Sequence, residues 1–290
     1  MIEVSFVILS YNRKDDLKES LKRIYTQKFK NFEIIVCDNN STDGTIDMIK
    51  TDFPEVKPIE HKKNLGVGAI NKGFEIAKGK YIVILDDDSF PKEDSIEKMI
   101  KLFKSDNKIG VIAFNVKNHS SLNNKEINNT NETRFNYLMG FNGAGVGIRK
   151  DVIDKVGGYP EEFFLYLNEN DLAIRILNQG YKIIQSSDII AYHKNSPTNR
   201  TSKRGPFYYS RNLYYIYWKY YPFPSSFIKT LKLVCLCLYY SLEQRTFIYI
   251  SSTINAFSNF FSILKKRIKI KKEILKQIRI SKKIVFTMYR

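Results

Sequence analysis

The stretch that most constrains the fold is an apolar run followed at once by three carboxylates. Residues 82–85 are apolar, residues 86–88 are all aspartate, and Pro91 prevents a strand from continuing. Uninterrupted apolar runs are typical of strands buried on both faces, as in parallel sheets. Adjacent carboxylates repel one another unless a cation or hydrogen bonds compensate their charge. The stretch therefore predicts either a metal or phosphate site at the end of a core strand, or a solvated turn before a helix.

Three earlier segments repeat this order of an apolar run and a polar cluster. They are residues 4–9 with 10–12, residues 32–37 with 38–44, and residues 56–59 with 64–68. Helical periodicity separates the apolar runs, so the chain alternates β and α units and predicts a parallel sheet. Since the carboxyl ends of parallel strands meet at one edge, the four polar clusters are expected to lie together there. The pattern favours a nucleotide site at that edge.

The glycines of the third segment do not match a common nucleotide fingerprint. Gly66 and Gly68 begin a G-x-G pattern, but Asn71 stands where the dinucleotide motif requires a third glycine. No G-x-x-x-x-G-K-[ST] sequence occurs either, which argues against a P-loop NTPase.

Charge and cysteine content restrict the partners and the compartment. The formal net charge of +17 at pH 7 favours an anionic partner, namely nucleic acid, anionic lipid or a phosphorylated substrate. Cys37, Cys235 and Cys237 have neither the spacing of a disulfide framework nor that of a zinc site, which fits a reducing compartment. Met1 is followed directly by strand-like sequence, so we expect no secretory leader and a cytoplasmic protein.

Taken in order, the polar clusters resemble the motifs of the family 2 glycosyltransferases, in particular bacterial polysaccharide and rhamnosyl-type enzymes. The resemblance covers about residues 2–220 and lies in residues 10–13, 38–45, 64–73 and 86–88, the last of which look like the family's D-x-D element. It implies the GT-A fold, an α/β architecture with a Rossmann-like, mostly parallel central sheet flanked by helices. It also implies inverting transfer of a sugar from a nucleoside diphosphate sugar to a hydroxyl group.

The resemblance implies a role for each cluster. Asp38 would accept a hydrogen bond from the base of the nucleotide, with an Asx-turn as the structural alternative. Asp86 would lie near the ribose, and Asp88 would coordinate Mn²⁺ or Mg²⁺, which neutralises charge on the diphosphate leaving group. Asp87 either belongs to the nucleotide site or is structural. The other residues assigned to the nucleotide site are Ser10, Tyr11, Asn12, Asn64 and Asn71.

The second half resembles the acceptor side of these enzymes. Residues 156–164 look like a glycine–glycine–aromatic turn, and residues 168–175 like the acidic motif that opens the acceptor helix. Aligning Asp171 with the family's Asp-Leu pair makes Glu169 the catalytic base for the acceptor hydroxyl. Asn168 occupies a position that is commonly acidic, so Asp171 stays the alternative base. A capping carboxylate is the structural alternative for Glu169.

A histidine and two loops complete the predicted site. His193 ends a strand-like run at a position where similar enzymes supply a metal ligand or a diphosphate contact, although a lone histidine is more often structural. Polar residues 117–134 are expected to form a loop at the acceptor side. Further strands are expected at residues 109–114, 140–149 and 186–193. A basic segment that closes over the diphosphate, or else is solvated, contains Lys194, Arg200, Lys203 and Arg204.

The composition changes near residue 220, so we expect a catalytic domain over residues 1–220 and a helical extension over residues 221–290. Residues 227–264 are apolar and aromatic but interrupted by charges, which disfavours a membrane-spanning helix. Residues 265–290 contain eleven Lys or Arg and one acid. This combination predicts a peripheral anchor on the anionic inner face of the cell membrane. The alternative is packing on the catalytic domain or on a second subunit. Nucleic-acid binding is disfavoured because no recognised module accompanies the basic tail.

The leading hypothesis is a metal-dependent glycosyltransferase that uses a nucleoside diphosphate sugar and a glycan or lipid-linked acceptor in cell-surface polysaccharide synthesis. A second hypothesis is a non-catalytic nucleotide- or membrane-binding module derived from such an enzyme, but Asp38, Asp86, Asp88 and Glu169 argue against it. A nucleotidyltransferase would need a glycine-rich phosphate loop near the N-terminus, and the sequence has none.

Overall fold

The structure, a computed structural model, describes residues 2–120, 135–194 and 204–278, together with Ile280 and Phe286. In this part of the chain the strands are β1 (Val4–Ser10), β2 (Phe32–Asp38), β3 (Lys57–Glu60), β4 (Tyr81–Asp86), β5 (Ser89–Pro91), β6 (Ile109–Asn118), β7 (Phe135–Tyr137), β8 (Val146–Arg149) and β9 (Lys182–His193). The helices are α1 (Lys14–Tyr25), α2 (Thr45–Asp52), α3 (Asn71–Ile76), α4 (Ser95–Ser105), α5 (Lys150–Val156), α6 (Asn168–Asn178), α7 (Arg204–Tyr220), α8 (Ser225–Glu243), α9 (Ile248–Ser258), α10 (Phe260–Leu264) and α11 (Lys272–Gln277). Short 3-10 helices cover Gly66–Ile70 and Glu161–Phe163.

All of these strands belong to one sheet, in the order β3-β2-β1-β4-β8-β6-β9-β5, with β7 also paired to β9. Strands β1 to β4 pair in parallel, as do β6 and β9. Strand β8 lies antiparallel between β4 and β6, and β5 and β7 are antiparallel to β9. The predicted α/β fold with a central sheet flanked by helices is confirmed. The antiparallel pairs of the second half are an addition, and the strand expected over residues 140–149 begins only at Val146.

The alternation of side chains along the strands builds a core on each face of the sheet. In β1, Phe6 and Ile8 pack with α1, α2 and α4, whereas Val7 faces α3, α5 and α6, and all three side chains have zero exposure. Complete burial of a large apolar side chain stabilises the fold by about 1.5–3 kcal/mol. The sheet is therefore fixed between two helical layers, and so are the ends of its strands.

The register of the first strands places their last residues side by side. Ser10 at the end of β1 lies opposite Asp38 at the end of β2, and Leu9 lies opposite Asp86 at the end of β4. The convergence of the polar clusters at one edge of the sheet, predicted from the strand order, is confirmed.

The C-terminal helices form a third apolar cluster. Helices α7 to α10 pack on one another and on Phe163, Leu167 and Ile174, and every residue from Ser210 to Tyr220 is buried. Helix α7 thus contacts both the sheet-containing part and the helices after it. The boundary at residue 220 stays a prediction.

Parts of two predicted loops fall outside the described residues. These are residues 121–134 of the acceptor-side loop, and Arg200 and Lys203 of the basic segment. Of that segment, Lys194 and Arg204 are described. Arg204 does not belong to a loop, because helix α7 begins at this residue. The Nζ atom of Lys194 contacts Asp16 Oδ1 at 2.8 Å and Glu19 Oε2 at 3.3 Å.

Candidate active site

A short antiparallel pairing brings His193 to the aspartate run. Strand β4 ends at Asp86, and the hydroxyl group of Ser89 closes the turn by accepting from the Asp86 N–H at 2.9 Å. Strand β5 then pairs with the end of β9, so that Ser89 lies opposite His193. As a result, His193 Nε2 is 2.9 Å from Asp88 Oδ1 and 3.7 Å from Asp86 Oδ2.

The donor set of this cluster fits a divalent cation. Ligand atoms of Asp86, Asp88 and His193 all lie within 4.8 Å of one another. Asp88 and His193 are buried, whereas the Asp86 side chain is 48% exposed and opens the cluster to the cleft. Two carboxylates and an imidazole supply the oxygen and nitrogen donors that divalent cations accept, and the positive charge would offset the repulsion of the acids. The two predicted ligands therefore lie together, and Asp86 joins them.

Arg13 is a part of the site that the sequence interpretation did not assign. Its guanidinium lies 3.1 Å from Asp87 Oδ1 and 3.3 Å from Asp88 Oδ2, and its side chain is only 12% exposed. Asp87 also accepts from the backbone N–H of Tyr11 at 3.3 Å. Burial raises the pKa of Asp87 to about 7, against the lowering effect of Arg13. The signal that could have identified Arg13 is its place in the polar cluster that follows β1.

Asp38 lies at the edge of the sheet where β1, β2 and β4 end, and its carboxylate is buried. The residue is 2% exposed, and its Oδ2 atom accepts from the backbone N–H of Ser41 at 2.9 Å. Its Oδ1 atom has no hydrogen-bond partner among the described residues, and the same holds for the buried hydroxyl group of Ser10. A buried acceptor without a donor is costly, and the N–H group of a nucleobase would satisfy it.

We expect Asp38→Asn to weaken nucleotide binding by about ten- to a hundredfold. The variant oxygen can still accept from Ser41, but the new amide N–H₂ then faces the base N–H, so one hydrogen bond is lost. Calorimetry with nucleoside diphosphates in the presence of Mn²⁺ measures the change. Asp47→Asn in the helix that follows this loop is the control, because Asp47 is exposed in the first turn of α2. Equal affinities of Asp38→Asn and the native protein would contradict this role.

Two predicted asparagines fix the loops around this edge. Asn12, at a positive φ of 52°, accepts from the Thr42 N–H at 2.7 Å and thereby links the loops after β1 and β2. Asn64 Oδ1 accepts from Asn39 Nδ2 at 3.0 Å and from the Gly66 N–H at 2.9 Å. Asn39 was not assigned from the sequence. The predicted contacts of Asn12 and Asn64 with nucleotide stay predictions.

Asn71 is engaged with the acceptor side. Its Nδ2 atom donates to the Tyr159 carbonyl at 2.9 Å, and its Oδ1 atom accepts from the Tyr159 N–H at 2.8 Å. A Cβ atom at Gly158 would lie 2.2 Å from Asn71 Oδ1, so only glycine permits this approach. The structure gives Asn71 the role of joining α3 to the glycine–glycine–aromatic turn, and its nucleotide contact stays a prediction.

Glu169, in the first turn of α6, is close enough to Asp86 for the charge of that residue to act on it. Its carboxylate is so close to the backbone of Gly143 that a Cβ atom there would lie 3.1 Å from Oε1. The side chain is partly buried, and this burial, with a smaller contribution from the charge of Asp86, raises the pKa of Glu169 to about 7. A carboxylate with this pKa is suited to proton abstraction near neutral pH.

Asp171, the alternative base, has its oxygens occupied. It is fully buried and accepts from Lys219 Nζ, from the Tyr220 hydroxyl group at 2.6 Å and from Arg175 Nε at 2.9 Å. Asn168 is also fully buried. The geometry therefore favours Glu169 as the carboxylate available to an acceptor.

Helix α7 holds the segment that leads into α6. The Nδ2 atom of Asn212 donates to the carbonyl groups of Phe163, Leu165 and Tyr166 at 3.0, 2.7 and 2.9 Å. Positive φ angles occur in this segment at Phe164, Tyr166 and Leu167. Because such conformations are unfavourable for these residues, the hydrogen bonds from α7 are what maintain them and, with them, the start of α6.

Comparison with known proteins identifies the family. The sequence profile described as "Glycosyl transferase family 2" matches residues 5–157. The Escherichia coli protein "UDP-Glc:alpha-D-GlcNAc-diphosphoundecaprenol beta-1,3-glucosyltransferase WfaP" is 27% identical over 198 residues, which are 66% of this chain and 76% of that protein. A Staphylococcus aureus "Poly-beta-1,6-N-acetyl-D-glucosamine synthase" is 30% identical over 126 residues, which are 41% of this chain and only 30% of that protein.

The fold matches solved glycosyltransferases as well. "Mannosyltransferase PcManGT from Pyrobaculum calidifontis in complex with GDP-Man and Mn2+" superposes with a TM-score of 0.58 at 16% identity, over 89% of this chain and 87% of that one. At this identity the likeness concerns the fold alone. With the family profile covering more than half of its length, the chain belongs to glycosyltransferase family 2 and is a glycosyltransferase with the GT-A fold.

Proposed function

We propose that this glycosyltransferase transfers a sugar, with inversion, from a nucleoside diphosphate sugar to a hydroxyl group and depends on Mn²⁺ or Mg²⁺. The observation that supports this best is a combination of three elements. They are the unsatisfied oxygen of Asp38, the cation ligands of the D-x-D turn with His193, and the raised pKa of Glu169. Asp38 and the D-x-D turn lie at the same edge of the sheet, and Glu169 is close enough to Asp86 for its charge to act on it.

Each element has a defined task in this reaction. Asp38 binds the base, and Arg13 holds the acidic turn in place through its ion pairs with Asp87 and Asp88. Asp86, Asp88 and His193 hold the cation, which when bound neutralises charge on the diphosphate leaving group. Glu169 removes the proton from the acceptor hydroxyl group, which attacks the anomeric carbon on the face opposite the diphosphate.

We further propose a lipid-linked glycan as acceptor and a role in cell-surface polysaccharide synthesis. The printed name of the E. coli relative gives a GlcNAc-diphosphoundecaprenol acceptor, and the matched residues cover 76% of that protein. The apolar, basic C-terminal helices of the present chain are consistent with an acceptor embedded in a membrane.

A thermal-shift screen of nucleotide sugars with and without Mn²⁺ tests the proposed reaction. A ligand at a hundred times its Kd stabilises the native state by about 2.7 kcal/mol. We expect one class of nucleotide to raise the Tm, and more strongly with Mn²⁺; NMR of the product then reports the anomeric configuration. If no nucleotide sugar binds, the proposal is wrong. Binding without turnover on any acceptor would instead support a non-catalytic module.

An exposed apolar surface on the C-terminal helices supports peripheral attachment to a membrane. Helix α8 has the length and the apolar composition of a helix that could cross a membrane, and only 22% of its apolar stretch is buried inside the protein. Leu242, Phe247 and Phe261 are 79%, 82% and 78% exposed. Exposed aromatic side chains beside many basic residues are typical of helices that lie in the interface of an anionic bilayer. We propose that α8 to α10 lie on the inner face of the cell membrane.

We expect the protein to bind vesicles of phosphatidylglycerol and phosphatidylcholine at least about tenfold more tightly than vesicles of phosphatidylcholine alone, because each basic residue near an anionic surface contributes about 1 kcal/mol. Cosedimentation measures this. The double variant Phe247→Ser/Phe261→Ser should lose most of the binding. Tyr137→Ser, which removes an equally exposed aromatic ring from β7, should not. Equal binding to neutral vesicles, or an unaffected double variant, would exclude this surface.

A further inference from the structure

The C-terminal helices enclose an apolar pocket that the proposed reaction does not use. It has a volume of about 480 Å³, which is within the range of small-molecule sites. Its lining is apolar and aromatic apart from two hydroxyl groups and one guanidinium, and consists of Trp218, Phe223, Ser226, Phe227, Thr230, Leu231, Val234, Phe257, Phe260, Leu264 and Arg267.

The floor and the mouth of the pocket both favour a hydrocarbon ligand. Trp218, at the floor, is 3% exposed, and its indole N–H donates to Thr230 Oγ1 at 2.9 Å, so both polar groups are satisfied. At the mouth, Phe223, Phe227 and Leu231 are 75%, 60% and 54% exposed. The pocket is therefore continuous with the apolar surface of α8 and offers little to a polar molecule.

A basic cluster lies beside the pocket. Arg267 lines it and donates from Nη2 to the Tyr221 carbonyl at 2.8 Å, and Lys265 and Lys266 directly precede Arg267 in an exposed segment. These side chains are complementary in charge to a phosphate or diphosphate group. Pocket and rim together match a molecule with a hydrocarbon chain and an anionic head.

The pocket lies one helix away from the acceptor side of the active site. Trp218 of α7 points into it, while the next residues of α7, Lys219 and Tyr220, contact Asp171, two residues after Glu169. A helix with its side chains is about 10–12 Å across. Lys266, beside the pocket, contacts Glu162 Oε2 at 2.9 Å, in the turn before α6.

The described C-terminal residues do not fill this pocket. Phe286 stacks on Tyr240 at 4.1 Å between ring centroids and packs against Tyr249. These contacts are at the C-terminal end of α8 and the beginning of α9, whereas the pocket is formed by the first half of α8, by α10, and by Trp218 and Phe257 near the ends of α7 and α9.

We propose that the pocket binds the hydrocarbon chain of the lipid-linked acceptor, with the diphosphate of that lipid at Arg267. The proposal rests on the lipid-linked acceptor proposed above and assigns its chain to α7, α8 and α10. A chain held there directs the sugar beyond the diphosphate towards Glu169, across the turn that α7 holds.

Trp218 is the only tryptophan of the chain, so its emission reports on the pocket directly. We expect farnesyl diphosphate to cause a saturable change in Trp218 emission, without nucleotide sugar or turnover. Ser226→Phe places a ring in the pocket and should weaken this binding at least about tenfold. Ser225→Phe, on the neighbouring residue outside the lining, should not. Leu231→Glu, which puts a negative charge at the mouth, is a second variant in case Ser226→Phe does not fold.

Three ligands distinguish binding of the anionic head from binding of the hydrocarbon chain, namely farnesyl diphosphate, farnesol and inorganic diphosphate. Arg267→Gln should weaken farnesyl diphosphate but not farnesol, and Lys269→Gln should weaken neither. The proposal is overturned if inorganic diphosphate alone gives the same emission change, or if folded Ser226→Phe and Leu231→Glu bind farnesyl diphosphate like the native protein. It is also overturned if the emission changes with protein concentration alone, because a second copy then fills the pocket. If Ser226→Phe transfers sugar to a lipid-linked acceptor as fast as the native protein, the proposed role of the pocket is wrong but the proposed reaction stands. If the native protein binds farnesyl diphosphate in the pocket but transfers no sugar to any acceptor, the proposed reaction is wrong but the pocket stands.

Discussion

Asp88→Asn is expected to lower turnover by about a hundredfold or more and to weaken Mn²⁺ binding. The Asp88 side chain has no exposed surface and lies between His193 and Arg13, at 2.9 and 3.3 Å, so its carboxylate is already oriented as a ligand. The neutral amide is a poorer ligand, and several kcal/mol of charge stabilisation depend on the cation. The fold should survive, because Arg13 keeps its contact with Asp87 at 3.1 Å.

Mn²⁺ binding can be followed by electron paramagnetic resonance without any sugar donor, which separates the cation site from catalysis. Asp87→Asn is the matched control. Asp87 is adjacent in sequence and also bound to Arg13, but it is not in the cluster of Asp86, Asp88 and His193. We expect it to leave Mn²⁺ affinity nearly unchanged. An Asp88→Asn variant that binds Mn²⁺ like the native protein would refute the ligand assignment.

Glu169→Gln is expected to lower kcat by about 10²- to 10⁴-fold while nucleotide binding is retained, because general-base catalysis contributes on this scale. The amide has the size of the carboxylate and keeps the close contact with Gly143. Single-turnover kinetics measure the rate, and calorimetry measures donor affinity. Glu161→Gln, an exposed glutamate in the preceding turn, is the control and should be fully active. Activity of Glu169→Gln within a few fold of the native enzyme would exclude Glu169 as the base.

From the raised pKa of Glu169 we predict how kcat/KM and the free energy of unfolding depend on pH. Only the ionised carboxylate accepts a proton, so kcat/KM should fall as the pH drops through about 7. The free energy of unfolding changes with pH in the opposite direction to kcat/KM. The native state binds this proton more tightly than the unfolded state, whose pKa is 4.5, so the free energy of unfolding falls as the pH rises from 4.5 to about 7. Glu169→Gln should lack this loss and be the more stable protein at pH 8, as thermal unfolding can show.

The first half of the fold and the convergence of its polar clusters could be predicted because the information is local. Each strand there is a continuous apolar run that ends in a polar cluster, and parallel pairing puts Asp38 and Asp86 at the same edge. No long-range contact had to be known. The choice of Glu169 rests instead on the family resemblance, and the structure places this residue in the first turn of α6.

What the sequence did not reveal depends on contacts between distant residues. The three-residue strand β5 carries no periodic signal, yet its pairing with β9 is what brings His193 to Asp88. Arg13 finds Asp87 across 74 positions of sequence. The amide of Asn71 is bound to the backbone of Tyr159, 88 positions away, and nothing near Asn71 indicates that partner.

Helix α7 makes the two halves of this enzyme inseparable. Its residues Tyr214 and Trp218 pack on Phe257 of α9, while Asn212 and Lys219 hold the turn and the helix that present Glu169. Deleting everything after residue 220 would expose an aromatic surface on the catalytic part and favour aggregation. The C-terminal helices therefore cannot be removed or exchanged without affecting the catalytic part. Any change to the C-terminal helices has to preserve the aromatic face of α7, because loss of its contacts would displace the turn and the helix that carry Glu169.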